Sequence, residues 1–233
     1  MTNIRQSNDG PDVFQRSRPC PTAVVCSAMT RRQQSLSEQV CTPTPGVASL
    51  GICSQSIVLV GLMGAGKTSI GRRLARCLAV PFADADDEIV AVAGCSILDI
   101  FDLYGEQAFR DVERRVIGRM LQQQPHVLAT GGGAFMNPHT RMAIRERGVS
   151  VWLRADLDTL VERTSRRSDR PLLRGDDPRA RLESLMKERY PVYAEADLIV
   201  DTCNEPPEAT VQKVLHALRS GGSIGHQPAD GTP

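Results

Sequence analysis

Neither sign of charge prevails in this chain of 233 residues, in which 28 Lys and Arg stand against 27 Asp and Glu. No overall basic field therefore recommends nucleic acid or an anionic membrane surface as a partner. No run reaches the roughly 18 consecutive apolar residues of a membrane span, and the N-terminus lacks the charged-then-apolar order of a secretory signal. No internal repeat is present. The seven cysteines are an odd number, no C-x-x-C pair occurs, and Cys20, Cys26, Cys41 and Cys53 fall in a Ser, Thr, Pro and Arg-rich stretch. That pattern argues against a disulfide framework or a zinc site and reads as a reducing compartment. Cys77 and Cys95 are expected to be small buried thiols.

Large hydrophobes are scarce before residue 55 and after 219, which divides the chain into a disordered extension (1–54), one folded domain (55–219) and a disordered tail (220–233). Arg5, Arg16, Arg18, Arg31 and Arg32 give the extension some flavour of an organelle transit peptide. Asp9, Asp12, Glu38 and several prolines count against it. A cytoplasmic location is expected, with a plastid the alternative and a start codon placed too far upstream a further explanation of the extension.

Within the domain, Ser56 to Val60 is a β-branched apolar run stopping at glycine, the mark of a central strand buried on both faces. Lys67 to Leu78 carries Ile70, Leu74 and Leu78 at helical spacing. Pro81 to Asp84, His126 to Thr130, Val149 to Leu153 and Asp197 to Asp201 are four further strands. Gly105 to Gln123, Arg179 to Tyr193 and Pro207 to Leu218 have helical periodicity, whereas Thr164 to Asp177 has none and is expected to be a mobile loop. Alternating elements at these intervals predict a three-layer α/β/α fold on a five-stranded parallel sheet.

Between the first strand and its helix stands Gly61-Leu-Met-Gly-Ala-Gly66-Lys67-Thr68, which fits G-x-x-x-x-G-K-[ST] in the context that the motif requires. Its glycines let successive N–H groups point inward, and the helix N-terminus adds partial positive charge against phosphates. Lys67 is predicted to bridge the β- and γ-phosphates, and Thr68 to offer its hydroxyl to Mg²⁺. The motif does not choose the acceptor, but the guanine-reading Asn-Lys-x-Asp is absent and the size suits a small-molecule kinase.

Asp84 and Asp86, read as one extended segment, lean to one face, where one carboxylate can support the metal and the other orient an alcohol. An acidic helix start over Asp84 to Glu88 is the plainer explanation. Arg110, with Glu106 and Glu113 at helical spacing, reads by itself as a surface ion pair. Gly131 to Gly133 permits close approach of backbone to a ligand, or is simply a flexible turn.

Taken together, these segments resemble the shikimate kinases of the nucleoside-monophosphate-kinase-like P-loop group. The resemblance spans Ile57 to Leu218 and rests on G-L-M-G-A-G-K-T-S-I-G-R (Gly61 to Arg72), F-A-D-A-D (Phe82 to Asp86) and I-F-D-L-Y-G-E-Q-A-F-R (Ile100 to Arg110). T-G-G-G-A (Thr130 to Ala134), D-R-P-L-L (Asp169 to Leu173) and E-R-Y-P-V-Y (Glu188 to Tyr193) complete it. It implies transfer of the γ-phosphoryl group of MgATP to shikimate by a monomer. ATP would be held by Gly64, Ala65, Gly66, Lys67, Thr68, Ser69, Arg163 and the lid residue Arg170, with Arg163 over the adenine. Asp86 would hold the reacting hydroxyl, Arg110, Arg189 and Gly131, Gly132 and Gly133 would grip the carboxylate end, and Glu113 would orient Arg110. Thr68 and, through water, Asp84 would serve the metal, and Lys67, Asp86 and Arg170 would be the catalytic groups. The rival readings are a gluconate-kinase-like enzyme and a non-catalytic nucleotide-binding relative.

Overall fold

A computed structural model of the chain describes residues 55–165 and 177–221. Five strands, β1 (Ser56–Val60), β2 (Phe82–Asp84), β3 (Val127–Ala129), β4 (Gly148–Ala155) and β5 (Leu198–Thr202), pair in the order β2-β3-β1-β4-β5. Every pairing is parallel. The central place of β1, between β3 and β4, fits its sequence, since Ile57 to Val60 are apolar without alternation and every residue of the strand is buried.

The helices are α1 (Lys67–Leu78), α2 (Ala85–Ala93), α3 (Ile97–Met120), α4 (Pro138–Arg147), α5 (Leu157–Ser165), α6 (Pro178–Tyr193) and α7 (Pro207–Gly221). Right-handed crossovers between parallel strands place α1 and α7, which touch, on one face and α3 and α4 on the other. Ile70, Leu74 and Leu78 of α1 and Val211, Val214, Leu215 and Leu218 of α7 are buried, as their spacing predicts. Gly71 is needed where α1 crosses β2, because a Cβ there would lie 2.6 Å from the Phe82 ring.

Some boundaries differ from the sequence reading, each for a local reason. Gly105 leaves helical geometry (φ 80, ψ 172), so α3 is two helices meeting at a kink, and the helix expected from Gly105 is the second of them. The first, from Ile97, is additional to the sequence reading and is started by a capping box of Ser96 and Asp99. Thr164 and Ser165 close α5 instead of opening a loop, and Asp177 caps α6 by accepting from the Ala180 N–H. Residues 166–176, which include Arg170, lie outside the described residues, as do the termini 1–54 and 222–233. Cys77 is exposed rather than buried, while Cys95 is half-buried against the core.

At the end of the sheet opposite the strand C-termini, His126 is 5% exposed. Its Nδ1 lies 2.9 Å from the Gln124 carbonyl and 3.3 Å from the Ser56 hydroxyl, while Nε2 is buried with no partner. Burial lowers its pKa from the ordinary 6.5, the Gln124 bond opposing the effect. The unfolded chain thus binds a proton more readily than the folded one. His126's contribution is complete above about pH 6.5 and is lost as pH falls through the lowered folded value. Urea unfolding between pH 5 and 8 should show the wild type losing more stability toward acid than His126→Gln; parallel curves would refute the assignment.

Candidate active site

The first turn after β1 is built to face an anion. Gly61, Gly64 and Gly66 all have positive φ (137, 84 and 93), a region closed to most side chains. At Gly61 a Cβ would also meet the Leu153 carbonyl at 2.7 Å. Gly66 caps α1 without a side-chain acceptor, so the helix N-terminus offers its first-turn N–H groups and its partial charge to the cleft above. Lys67 Nζ donates to the carbonyls of Gly61 (2.7 Å) and Leu62 (2.9 Å), which holds the ammonium over the loop. Ala65 differs from its neighbours: it is fully buried and its N–H donates to the Leu62 carbonyl.

The two aspartates meet this loop by a different geometry from the extended segment that the sequence suggests. Asp84 ends β2 and caps α2, with Oδ1 accepting from the Asp86 N–H at 3.1 Å and Oδ2 accepting from the Thr68 hydroxyl at 2.7 Å. Asp86 stands in the first helical turn with Asp87 and Glu88. The acidic helix start and the pair of carboxylates beside the loop are therefore the same feature. One Asp84 carboxylate closes the helix and joins it to the phosphate loop.

A cleft of about 380 Å³ runs along the C-terminal ends of the strands, where ligands of open α/β sheets bind. Gly64, Gly66, Lys67, Thr68, Ser69, Asp84 and Asp86 line one part, and Arg163, Asn204, Glu205, Pro207 and Thr210 another. Ser69 Oγ accepts from Arg73 at 2.9 Å. Arg163 Nη1 reaches the Gly64 carbonyl (3.5 Å) and Thr202 Oγ1 (3.3 Å), and Nη2 reaches the Cys203 carbonyl (2.5 Å). Its guanidinium thus ties the phosphate loop to the end of β5.

A second, smaller pocket shares Asp86, Gly131 and Gly132 with the cleft and adds Met63, Ile97, Phe101, Phe109, Arg110, Glu113, Gly133 and Arg189. Arg110 is not the surface ion pair that its spacing suggests. Its Nη1 donates to Glu113 Oε2 at 2.8 Å and Nη2 to Glu106 Oε1 at 2.9 Å, and the Glu113 side chain is only 3% exposed. Glu113 Oε1 is buried with no partner. Burial raises the Glu113 pKa, the nearby Arg110 charge opposes that rise, and the Asp86 charge adds to it. The three glycines fit against this cluster. A Cβ at Gly131 would lie under 3.0 Å from Glu113 Oε1, and one at Gly133 under 3.0 Å from the Arg110 guanidinium.

Arg189, 5% exposed, donates from Nη1 to the Gly132 carbonyl at 2.9 Å. Tyr193 OH donates to the same oxygen, and burial pushes its pKa up to about 12, so it remains a donor. Tyr193 lay inside the E-R-Y-P-V-Y segment with no role assigned, and only its spacing of four from Arg189 signalled a shared helix face. The apolar wall of Met63, Ile97, Phe101 and Phe109 also went unread, because its members are scattered along the chain.

The resemblance read from the motifs agrees with comparisons against known proteins. A family model described as shikimate kinase matches residues 63–219. The chain is similar to the shikimate kinase of Caulobacter vibrioides (57% identical, covering 71% of this chain and 83% of the relative) and to that of Brucella canis (54% identical, 71% and 82%). Among solved structures, a shikimate kinase from Acinetobacter baumannii in complex with shikimate superposes with a TM-score of 0.70. It is 38% identical, covering 72% of this chain and 95% of that one. The shikimate kinase of Aquifex aeolicus gives 0.63 at 32% identity, over 73% and 99%.

Removing Arg110 would leave the Glu113 carboxylate buried beside Asp86 with its main counter-charge gone. Arg110→Ala should therefore cost about 3 kcal/mol of stability at pH 8. Because burial already raises the Glu113 pKa and Arg110 opposes that rise, the deficit should shrink as pH falls from 8 and Glu113 takes up a proton more readily, and paired urea titrations at pH 8 and at acid pH check this. A loss equal at both would mean that packing, not charge, holds the site.

Proposed function

Because the chain belongs to the shikimate kinase family, we infer that it transfers the γ-phosphoryl group of ATP to the 3-hydroxyl of shikimate, giving shikimate 3-phosphate and ADP, a step toward the aromatic amino acids. The observation that carries the reading onto particular residues is the shared wall: Asp86, Gly131 and Gly132 border both the nucleotide cleft and the pocket containing Arg110 and Arg189. An acceptor alcohol at Asp86 stands between a phosphate cradle and a pair of guanidinium groups. The gluconate-kinase-like and non-catalytic readings have no observation in their favour.

In this reading the loop from Gly64 to Ser69 and Lys67 bind the ATP phosphates, and Arg163 packs against the adenine. Arg110 and Arg189 hold the shikimate carboxylate as planar forks suited to that anion. Asp86 accepts a hydrogen bond from the reacting hydroxyl and aims its oxygen at the γ-phosphorus, taking the proton as the new P–O bond forms. Phosphoryl transfer asks little covalent help of the protein, so alignment and positive charge are the main contributions. Arg170 is proposed to add its charge from the segment between α5 and α6.

Thr68 Oγ1 and Asp84 Oδ2, 2.7 Å apart at the cleft, are hard oxygen donors that fit Mg²⁺ directly or through water. Among the described residues no group of three or more His, Cys, Asp or Glu could hold a metal. When bound, Mg²⁺ would neutralise charge developing on the β- and γ-phosphate oxygens. We further propose that the chain acts as a monomer in the cytoplasm. Among the described residues no helix is long and apolar enough to cross a membrane.

A coupled ADP-release assay with and without shikimate tests the whole reading. Lys67→Met should lower kcat by at least about a hundredfold. Arg110→Ala should raise the KM for shikimate by roughly fiftyfold while leaving the KM for ATP near wild type. Wild-type KM and kcat in Arg110→Ala would remove that residue from the pocket.

A further inference from the structure

The acceptor pocket has two walls from distant parts of the chain. One is the turn that follows β3, in which Gly131 to Gly133 lead into a single 3₁₀ turn (Ala134–Met136). The other is the C-terminal half of α6, where Arg189 lines the pocket and Tyr193 is fully buried. The two meet at the Gly132 carbonyl, which accepts from both of those side chains.

A second link lies behind the pocket. Arg141, in the first turn of α4, donates from Nη1 to the Phe135 and Met136 carbonyls, both at 3.0 Å. Its Nε faces Glu195 Oε2 at 3.1 Å, two residues beyond the end of α6. The carbonyls at the end of a helical turn lack partners within it, and a cation there also meets the negative end of the turn. A guanidinium can serve them with one nitrogen and a carboxylate with another, because its donors are fixed in a plane. Phe135 also packs near Tyr193, with ring centroids 6.3 Å apart, so the walls remain in apolar contact whatever stands at 141.

We propose that Arg141 is a positioning residue for the acceptor: a clamp that fixes the glycine turn relative to the helix bearing Arg189, so that both sides grip the same molecule. Arg141 does not line the pocket, and it acts only through these two walls. The inference rests on the acceptor reading above. Binding of a rigid ring by opposed groups is sensitive to sub-ångström changes in their separation, whereas the nucleotide cradle is built on other elements.

The test uses the full chain, with shikimate and ATP varied separately. Arg141→Met, which keeps the aliphatic stem and removes the donors, should raise the KM for shikimate by roughly five- to tenfold and leave that for ATP within about twofold. Arg141→Lys should fall between it and the wild type. Glu195→Gln should shift the same constant less, and should add nothing in the Arg141→Met background, since both act through one contact. A residue of merely structural importance would lower Tm and the active fraction without moving KM. An unchanged shikimate KM in Arg141→Met, or equal rises in both KM values, overturns the clamp. If Arg110→Ala raises the shikimate KM in the same assay and Arg141→Met does not, the clamp alone is wrong. If neither does, the pocket assignment falls and the clamp with it. Should Arg141→Met fail to fold, Arg141→Lys and Glu195→Gln decide by the same constants.

Discussion

A carboxylate buried away from water must be compensated where it stands, and Glu113 imposes that condition on the acceptor side of this fold. It is met here by cations brought to it and by backbone that leaves them room. Arg110 is consequently drawn off the surface of α3 and clasped between Glu106 and Glu113. Gly131 and Gly133 leave the carboxylate and the guanidinium where they stand, since a Cβ at either position would push one of them aside. Arg189 is buried across the same pocket and anchors on Gly132. The arrangement concentrates positive charge in a small space yet leaves Glu113 Oε1 without a partner, the kind of incomplete satisfaction that a functional site tolerates and a core does not.

The phosphate end obeys a different rule. There the chain presents N–H groups rather than balanced charges, and the strain sits in glycine dihedrals instead of in buried ions. The two ends are joined by Asp84, whose carboxylate simultaneously caps α2 and accepts from Thr68. Any shift of α2 along its axis would therefore move Asp86 and the phosphate loop together. Arg163 does for the nucleotide end what Arg110 does for the acceptor end, fastening Gly64 to the rim of β5.

Much of this was legible in the chain itself, unevenly and for physical reasons. The strand before Gly61 was readable because burial on both faces leaves an unbroken apolar run, and the loop because no other residue types reproduce its geometry. Tertiary placement was harder. Nothing in the spacing of Glu106, Arg110 and Glu113 distinguishes a solvated ion pair from a buried one, since helix periodicity reports which residues share a face and not what covers that face. Asp84 and Asp86 do lie beside the phosphate loop, but through a helix cap and not an extended segment, because a strand end and a helix cap look alike in so short a sequence. Ile97 to Tyr104 was missed as helix since Gly105 interrupts its pattern with a left-handed φ that a helix ordinarily avoids. Arg141 carried no signal at all: its partners are two backbone carbonyls and a glutamate more than fifty positions away.

That last case bears on how such a site keeps its shape. The groups that touch a ligand are few, and most stand at the ends of strands or in turns, where the backbone has least support from regular hydrogen bonding. Alignment to the tolerance that phosphoryl transfer needs must then come from contacts one layer out. Here those contacts are asymmetric. The phosphate loop is braced from beneath by β1, β4 and α1, so its support comes with the sheet. The glycine turn and the end of α6 share no secondary structure, and among the described residues side chains span them: Arg189 lining the pocket, Tyr193 on the same Gly132 carbonyl, Phe135 packing near Tyr193, and Arg141 with Glu195 behind. Affinity for the acceptor should for that reason be more sensitive to substitutions outside the pocket than affinity for the nucleotide, whose cradle rests chiefly on the sheet.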